Sequence, residues 1–337
     1  MDNQPTAIAL FSGGLDSILA CRVVAEQGVR VRAIKFVTPF FDYDLLATEA
    51  RYRKKIREKY AIDVEVRDIT DPYLQMLHDP PHGFGKHFNP CIDCKILMLT
   101  EAKKLMATYQ ASFIITGEVV GQRPMSQRKD TLRVIERDSG TDSFLLRPLC
   151  ARSQKPTQAE LAGVIDREKL PYCSGRGRSQ QIELAAGFGI TGYPNPAGGC
   201  VLTDLNLAKR IRMLYSQSVP VNREDVRFLL VGRQFRLPHA GWLAIGRSQE
   251  ENAAVLRLRQ PGDLLLSLHN RPGPTALLRY SCHPADISLS AALVVRYGRK
   301  IPDGPLEAQV KVRQDRRDTL LCSSPLPDQQ LAGLTII

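Results

Sequence analysis

At 337 residues the chain is long enough for two domains, and its 43% hydrophobic and 24% charged content is that of a folded globular protein, which excludes a disordered chain. No run approaches the roughly 20 apolar residues that span a bilayer, and the N-terminus has no basic-then-apolar signal pattern. No membrane partner is therefore expected, and the expected location is cytoplasmic. The net charge is +11, and from residue 207 onward nineteen Lys/Arg stand against eleven Asp/Glu, so +8 of that excess points to a separate basic module with a polyanionic partner.

The first element is an apolar strand, Ala7 to Phe11, followed by Ser12-Gly13-Gly14-Leu15-Asp16-Ser17 and a helix from Ile18 to Glu26. Two adjacent glycines allow positive φ and bring N–H groups close to an anion. Ser12 and Ser17 add hydroxyl donors where the helix dipole already favours negative charge. The string reads as a phosphate-holding loop for ATP. It is not the lysine-bearing P-loop, because no Gly-Lys-Ser/Thr follows. It carries Asp16 instead, and a carboxylate beside phosphates implies a bridging Mg2+.

Strands and helices then alternate at the spacing of a parallel α/β sheet: strand 29–37, helix 44–60, strand 62–69, helix 96–109 and strand 112–116. Right-handed crossovers place the Ser12–Ser17 loop and Thr116-Gly117-Glu118 at one carboxyl edge, where ligands bind in open sheets. Both loops can then face one nucleotide. The second continues through Gly121, Gln122 and Gln127, with close backbone approach at Gly117 and Gly121. Downstream, 145–149 reads as a strand and 157–168 as a helix with Thr157 and Glu160 forming a capping box. Two helices, 205–215 and 222–231, act as a linker. Beyond Gly232 short alternating runs predict an α+β module, with strands at 242–246, 275–280 and 308–312 and a helix at 286–296.

Eight cysteines in a cytoplasmic chain are read as metal, cluster or redox sites and not as a disulfide framework. Cys91 and Cys94 lie one turn apart at a helix start, where the dipole favours thiolate. Cys200, after Gly198-Gly199, is the third candidate. Two readings stay open: a structural zinc (Zn2+) completed by His82, His87 or Cys173, or an iron–sulfur cluster held by three cysteines with one iron open. Cys21 reads as a buried small hydrophobe. Arg176 and Arg178, in the glycine-rich loop after Cys173, either touch RNA phosphate or form a solvated turn. Arg271, Arg279, Arg299 and Lys300 of the basic module are candidates for a phosphate-binding face.

Ser-Gly-Gly-x-Asp-Ser after a buried strand resembles the PP-loop ATP pyrophosphatases (adenine nucleotide α-hydrolase-like fold), which grip pyrophosphate and form adenylates. Gly-x-x-x-Gly-Gln-x-x-Ser-Gln, followed by Leu146-Arg147-Pro148-Leu149, is similar to the catalytic core of the tRNA 4-thiouridine synthetase family over about residues 6–190. By that resemblance Gly117, Gly121, Gln122 and Gln127 line the ATP and target-base site, with Arg147 near it. Pro-Cys-x-x-Cys-Lys with a distal Gly-Gly-Cys resembles the iron–sulfur tRNA thiolation enzymes, in which three cysteines hold a 4Fe-4S cluster. Residues from about 225 to 322 resemble, more loosely, the RNA-binding domain of NFACT proteins.

The resemblance implies a PP-loop catalytic domain at 1–204, a helical linker at 205–231 and an RNA-binding domain at 232–337. The implied activity is ATP-dependent tRNA sulfurtransfer, with sulfide or a persulfide carrier as sulfur donor. Subunit pairing around one tRNA is common in these families, so a homodimer is part of the implication. The alternatives are a zinc-bound enzyme that amidates or thiolates a small molecule, and a non-catalytic RNA-binding factor regulated by ATP. Unlike the thiouridine synthetases, this sequence has no RNA-binding region ahead of the loop and no rhodanese-like domain.

Overall fold

In the computed structural model, which describes residues 4–123, 126–195, 200–216, 221–299, 305–331 and 334–336, the chain divides into two units, Met1–Thr203 and Asp204–Ile337. The first unit runs β1 (Thr6–Leu10), α1 (Leu15–Ala25), β2 (Arg30–Val37), α2 (Glu49–Tyr60), β3 (Asp63–Asp68), α3 (Thr70–His78), α4 (Cys91–Tyr109), β4 (Phe113–Thr116), α5 (Lys129–Ser139), β5 (Leu145–Leu146), α6 (Gln158–Leu161) and α7 (Ser179–Gly187). Its five strands pair in the order β3-β2-β1-β4-β5, all parallel. A parallel sheet is covered on both faces, which is why β1 and β4 are near-continuous apolar runs and almost wholly buried. The strand order reverses between β1 and β4. The loops leaving those two strands therefore flank the crevice where α/β sheets bind ligands.

Three local expectations change. Helix α4 begins at Cys91, five residues earlier than its apolar pattern suggests, so both Cys91 and Cys94 lie in its first turn. The Thr157–Glu160 capping box is present, but α6 ends at Leu161 because the chain turns through Gly163 at φ +75°. Helix α7 went unread because its sequence, Ser179-Gln180-Gln181 onward, follows a glycine-rich loop without a marked apolar stripe.

The second unit runs α8 (Leu205–Tyr215), α9 (Arg223–Leu229), β6 (Arg233–Arg236), β7 (Trp242–Ile245), α10 (Gln249–Arg257), β8 (Leu264–Leu268), β9 (Ala276–Arg279), α11 (Pro284–Tyr297), β10 (Ala308–Gln314), β11 (Arg317–Ser323), α12 (Asp328–Leu331) and β12 (Thr335–Ile336). Its antiparallel sheet has the order β11-β10-β8-β9-β7-β6-β12 and buries Phe235, Leu243, Leu266 and Leu278 with Leu293 and Val294 of α11. The expected linker is part of this unit. Gln234 Nε2 donates to the Phe228 carbonyl at the end of α9 (2.8 Å), and Trp242 Nε1 donates to Gln234 Oε1 (2.6 Å). Among the described residues, no helix is long and apolar enough to cross a membrane.

Candidate nucleotide and thiol site

The loop after β1 is shaped by its own side chains. Gly13 sits at φ +84°, whereas Gly14 caps α1 in extended conformation, so only the first glycine uses the left-handed region. Ser12 Oγ accepts from Gly14 N (3.2 Å) and meets Ser17 Oγ (3.1 Å), and Ser17 Oγ donates to the Gly14 carbonyl (2.8 Å). No side chain caps the first turn of α1, which keeps a helix N-terminus available to an anion. Lys35, buried in β2, donates to the Ser12 carbonyl (2.7 Å) and pairs with Asp42 (2.5 Å). Sequence reasoning missed it; a single lysine inside the apolar run 33–37 was the available signal.

The second loop packs directly on the first. A Cβ on Gly117 would lie 2.5 Å from the Asp16 carbonyl carbon and 2.6 Å from Ser17 N, so no other residue fits that position. Gln122 Nε2 donates to Asp16 Oδ2 (2.9 Å), while Gln181 Nε2 approaches Gln122 Oε1 (3.5 Å). Gln127 shapes the turn: its side-chain oxygen accepts from Arg123 N (3.1 Å) and its carbonyl from Gly121 N (2.8 Å). Arg178 corrects an expectation. It turns toward the loop instead of outward to RNA, with Nη2 3.3 Å from Asp16 Oδ2 and Nε buried without a partner. Arg176 remains exposed. Asp16 Oδ1 is buried and unpartnered, an orphaned carboxylate oxygen that suits a hard cation such as Mg2+.

Glu118 links this loop to the thiols. Its carboxylate lies 3.2 Å from Lys95 Nζ and 3.1 Å from Arg147 Nε. Burial pushes its carboxyl up, but the two cations outweigh burial and hold it down at about 2. Arg147 is fully buried, also engaged by Glu136 and Gln154, and so sets the loop's position and has no open face toward RNA. Lys95 follows Cys94 in α4, so the ion pair fixes the thiol-bearing turn to the residue beside Gly117.

Cys91, Cys94 and Cys200 come together from distant positions. The Leu202 carbonyl accepts from Phe88 N (3.2 Å), which pins the turn after Cys200 to the segment leading into Cys91. Cys94 and Cys200 each sense Cys91 electrostatically, and Cys94 also senses Cys200. The buried Tyr73 of α3, a residue the sequence did not single out, shares a hydrogen bond with Cys94. The helix start was expected to favour thiolate. Burial prevails instead, pushing Cys94 up to about 12 and raising Cys200. Gly198 and Gly199 lie outside the described residues.

Two of the three residues expected to complete a zinc site are engaged elsewhere. His82 uses both ring nitrogens, on Asp93 (2.7 Å) and Asp138 (3.0 Å), and Cys173 is buried near Cys150 and Asp16. Among the described residues, no three His, Cys, Asp or Glu side chains are grouped closely enough to hold a single metal ion. A tetrahedral zinc at about 2.3 Å from each sulfur needs a tight group, whereas a polynuclear cluster spreads its three thiol ligands further apart. Three cysteine thiols are the donor set that an iron–sulfur cluster with one open iron takes.

In the second unit Arg279 is buried, paired with Asp263 (3.0 Å) and donating to the Leu258 carbonyl (2.8 Å), which corrects its assignment to a phosphate-binding face. Arg271 directs its guanidinium to the Pro305 and Leu306 carbonyls, each at 3.3 Å. Arg299 is exposed, and Lys300 lies outside the described residues.

Residues 3–170 match the family model for thiamine biosynthesis protein (ThiI), and residues 232–333 match that for the NFACT protein RNA binding domain. A tRNA sulfurtransferase of Marinobacter nauticus is 28% identical over 153 residues, covering 44% of this chain and 30% of the relative. One from Desulfurococcus amylolyticus is 24% identical over 224 residues, covering 66% and 40%. The chain thus spans less than half the length of these curated relatives. Among solved structures, a 4-thiouridine synthetase–RNA complex with bound ATP aligns at 19% identity and TM-score 0.36, over 55% of this chain and 52% of that one. The U34-tRNA thiolase NcsA from Methanococcus maripaludis with its 4Fe-4S cluster aligns at 17% and 0.31, over 60% and 62%.

Proposed function

From the match of residues 3–170 to the thiamine biosynthesis protein (ThiI) family model and of residues 232–333 to the NFACT RNA-binding domain model, we propose that this chain is an ATP-dependent tRNA sulfurtransferase. It adenylates a uridine carbonyl and replaces the oxygen with sulfur. The observation that carries this reading is the continuous line of contacts from Asp16 and Ser17 through Gly117, Glu118 and Lys95 to Cys94 and Cys91.

A pyrimidine carbonyl oxygen is a very poor leaving group. Its attack on the α-phosphorus of ATP forms an O–P bond, breaks the α–β bond and releases diphosphate as the ring nitrogen loses its proton. Hydrosulfide then attacks the same carbon, the C–O bond breaks, and AMP departs with the oxygen. The hydroxyls of Ser12 and Ser17 and the N–H groups of the Gly13-Gly14 turn receive the departing diphosphate. Asp16 Oδ1 would hold Mg2+, with Gln122 and Arg178 fixing the other carboxylate oxygen. Gly117 lets the two loops close on each other, and Glu118 with Lys95 sets the distance to the thiol-bearing turn. Cys91, Cys94 and Cys200 would hold a 4Fe-4S cluster, which when bound supplies an open iron for a nucleophilic sulfur.

Sulfur enters as inorganic sulfide, or from a persulfide carrier whose outer sulfur is released by a thiol that forms a disulfide with the carrier, and the pairing of two chains around one tRNA belongs to the same proposal. The test is anaerobic turnover of unmodified tRNA with Mg-ATP and sulfide. Thiouridine, AMP and diphosphate should form in equal amounts. Release of ADP and phosphate, or AMP without thiouridine, would overturn the reading.

A further inference from the structure

We infer that Tyr280 forms a platform for an unpaired RNA base at one end of the second unit's sheet, the end that also carries the stacked rings of His239 and His283. The inference rests on the proposed tRNA substrate and names where that RNA is held. Arg236, Trp242 and Arg279 lie side by side on adjacent strands, so the 237–241 turn and Tyr280 leave the sheet at the same end.

Tyr280 takes φ +67°, a left-handed conformation that is a genuine outlier for an aromatic residue and persists only where the surroundings enforce it. The result is a ring 58% exposed instead of packed in the core. It is held rigidly all the same. Its hydroxyl donates to Asp225, and the ring lies nearly parallel to buried Trp242, at 28° and 6.4 Å between centroids. On Trp242 also rests the Arg236 guanidinium, 4.5 Å from the ring, with Nε buried and unpartnered.

At the same end of the sheet the exposed His239 and His283 stack at 3.6 Å and 17°. Their loop is fixed by Asp286, whose carboxylate accepts from His239 N (3.2 Å) and Gly241 N (3.1 Å). A rigid, exposed aromatic surface in a strongly basic unit matches an unpaired nucleobase, which offers a π face that a duplex hides. Pre-organisation lowers the ordering cost of that contact. The arginines first singled out by sequence, Arg271 and Arg299, lie by contrast toward the other end of β9, where Arg299 N donates to the Pro272 carbonyl.

Fluorescence anisotropy of the full chain with labelled tRNA, single-stranded RNA and duplex RNA tests the assignment. Tyr280→Ala should weaken tRNA and single-stranded RNA by about 5- to 150-fold, the range of one lost base stack, with little effect on duplex RNA. Tyr280→Leu, which keeps an apolar side chain without a π face, should lose as much, and Tyr280→Phe should bind nearly as the parent does; thermal unfolding establishes that each variant is folded. Folded Tyr280→Ala and Tyr280→Leu variants that bind like the parent would overturn the inference, as would equal losses on duplex. A parent that binds single-stranded RNA through Tyr280 but not tRNA would overturn the proposed substrate alone. One that binds no RNA would overturn both.

Discussion

Asp16 and Gly117 show how much of the site is decided by single atoms. Gly117→Ala places a methyl group 2.5 to 2.6 Å from backbone that has nowhere to go, so the two loops must part. We expect a loss of about 1–3 kcal/mol in stability and weaker nucleotide binding, read by thermal unfolding with and without an ATP analogue. Glu118 gives a pH signature. Its folded pKa, about 2 against an ordinary 4.5, is depressed, so its contribution is complete above pH 4.5 and is lost as pH falls through 2. The difference amounts to about 3 kcal/mol. Urea titrations should show Glu118→Gln well below the parent in stability at pH 7, with the gap narrowing toward pH 2; a pH-independent gap would contradict this.

At the scale of elements, the parts read correctly from sequence were those governed locally. Gly13 in the left-handed region, the Thr157–Glu160 capping box and the buried runs of β1 and β4 follow from backbone and burial requirements that neighbouring residues fulfil. What escaped depends on tertiary partners. Arg279 read as surface charge because its partner Asp263 is distant in sequence, and Arg147, expected near the target-base site, is instead locked by Glu118, likewise distant. Lys35 and Tyr73 gain meaning only when β2 and α3 are set beside the loop and the thiols. Helices α8 and α9 read as a linker because their apolar faces say nothing about which core covers them. Asp225 of α9 makes the correction testable: it accepts from Tyr280 and lies 3.9 Å from Arg279 Nη1. Asp225→Ala should destabilise the second unit by about 2 kcal/mol in thermal unfolding, whereas a free linker helix would leave it unchanged.

For the whole molecule, the proposed function makes charge distribution the determinant of how RNA is captured. With +8 of the net +11 carried beyond residue 206, most of the attraction to a phosphate backbone belongs to the second unit. Counterion release then makes binding salt-dependent. tRNA affinity should fall by at least about tenfold between roughly 50 and 200 mM salt, with a shallower dependence for the first unit alone. A flat response would mean that phosphate contacts contribute little.

The most direct test of the account is nucleoside mass spectrometry of tRNA from cells lacking this chain, complemented with the parent, Asp16→Asn or Cys200→Ser. The account predicts that one thiouridine disappears on deletion and returns only with the parent. Thiouridine levels untouched by deletion, or restored by either variant, would contradict it.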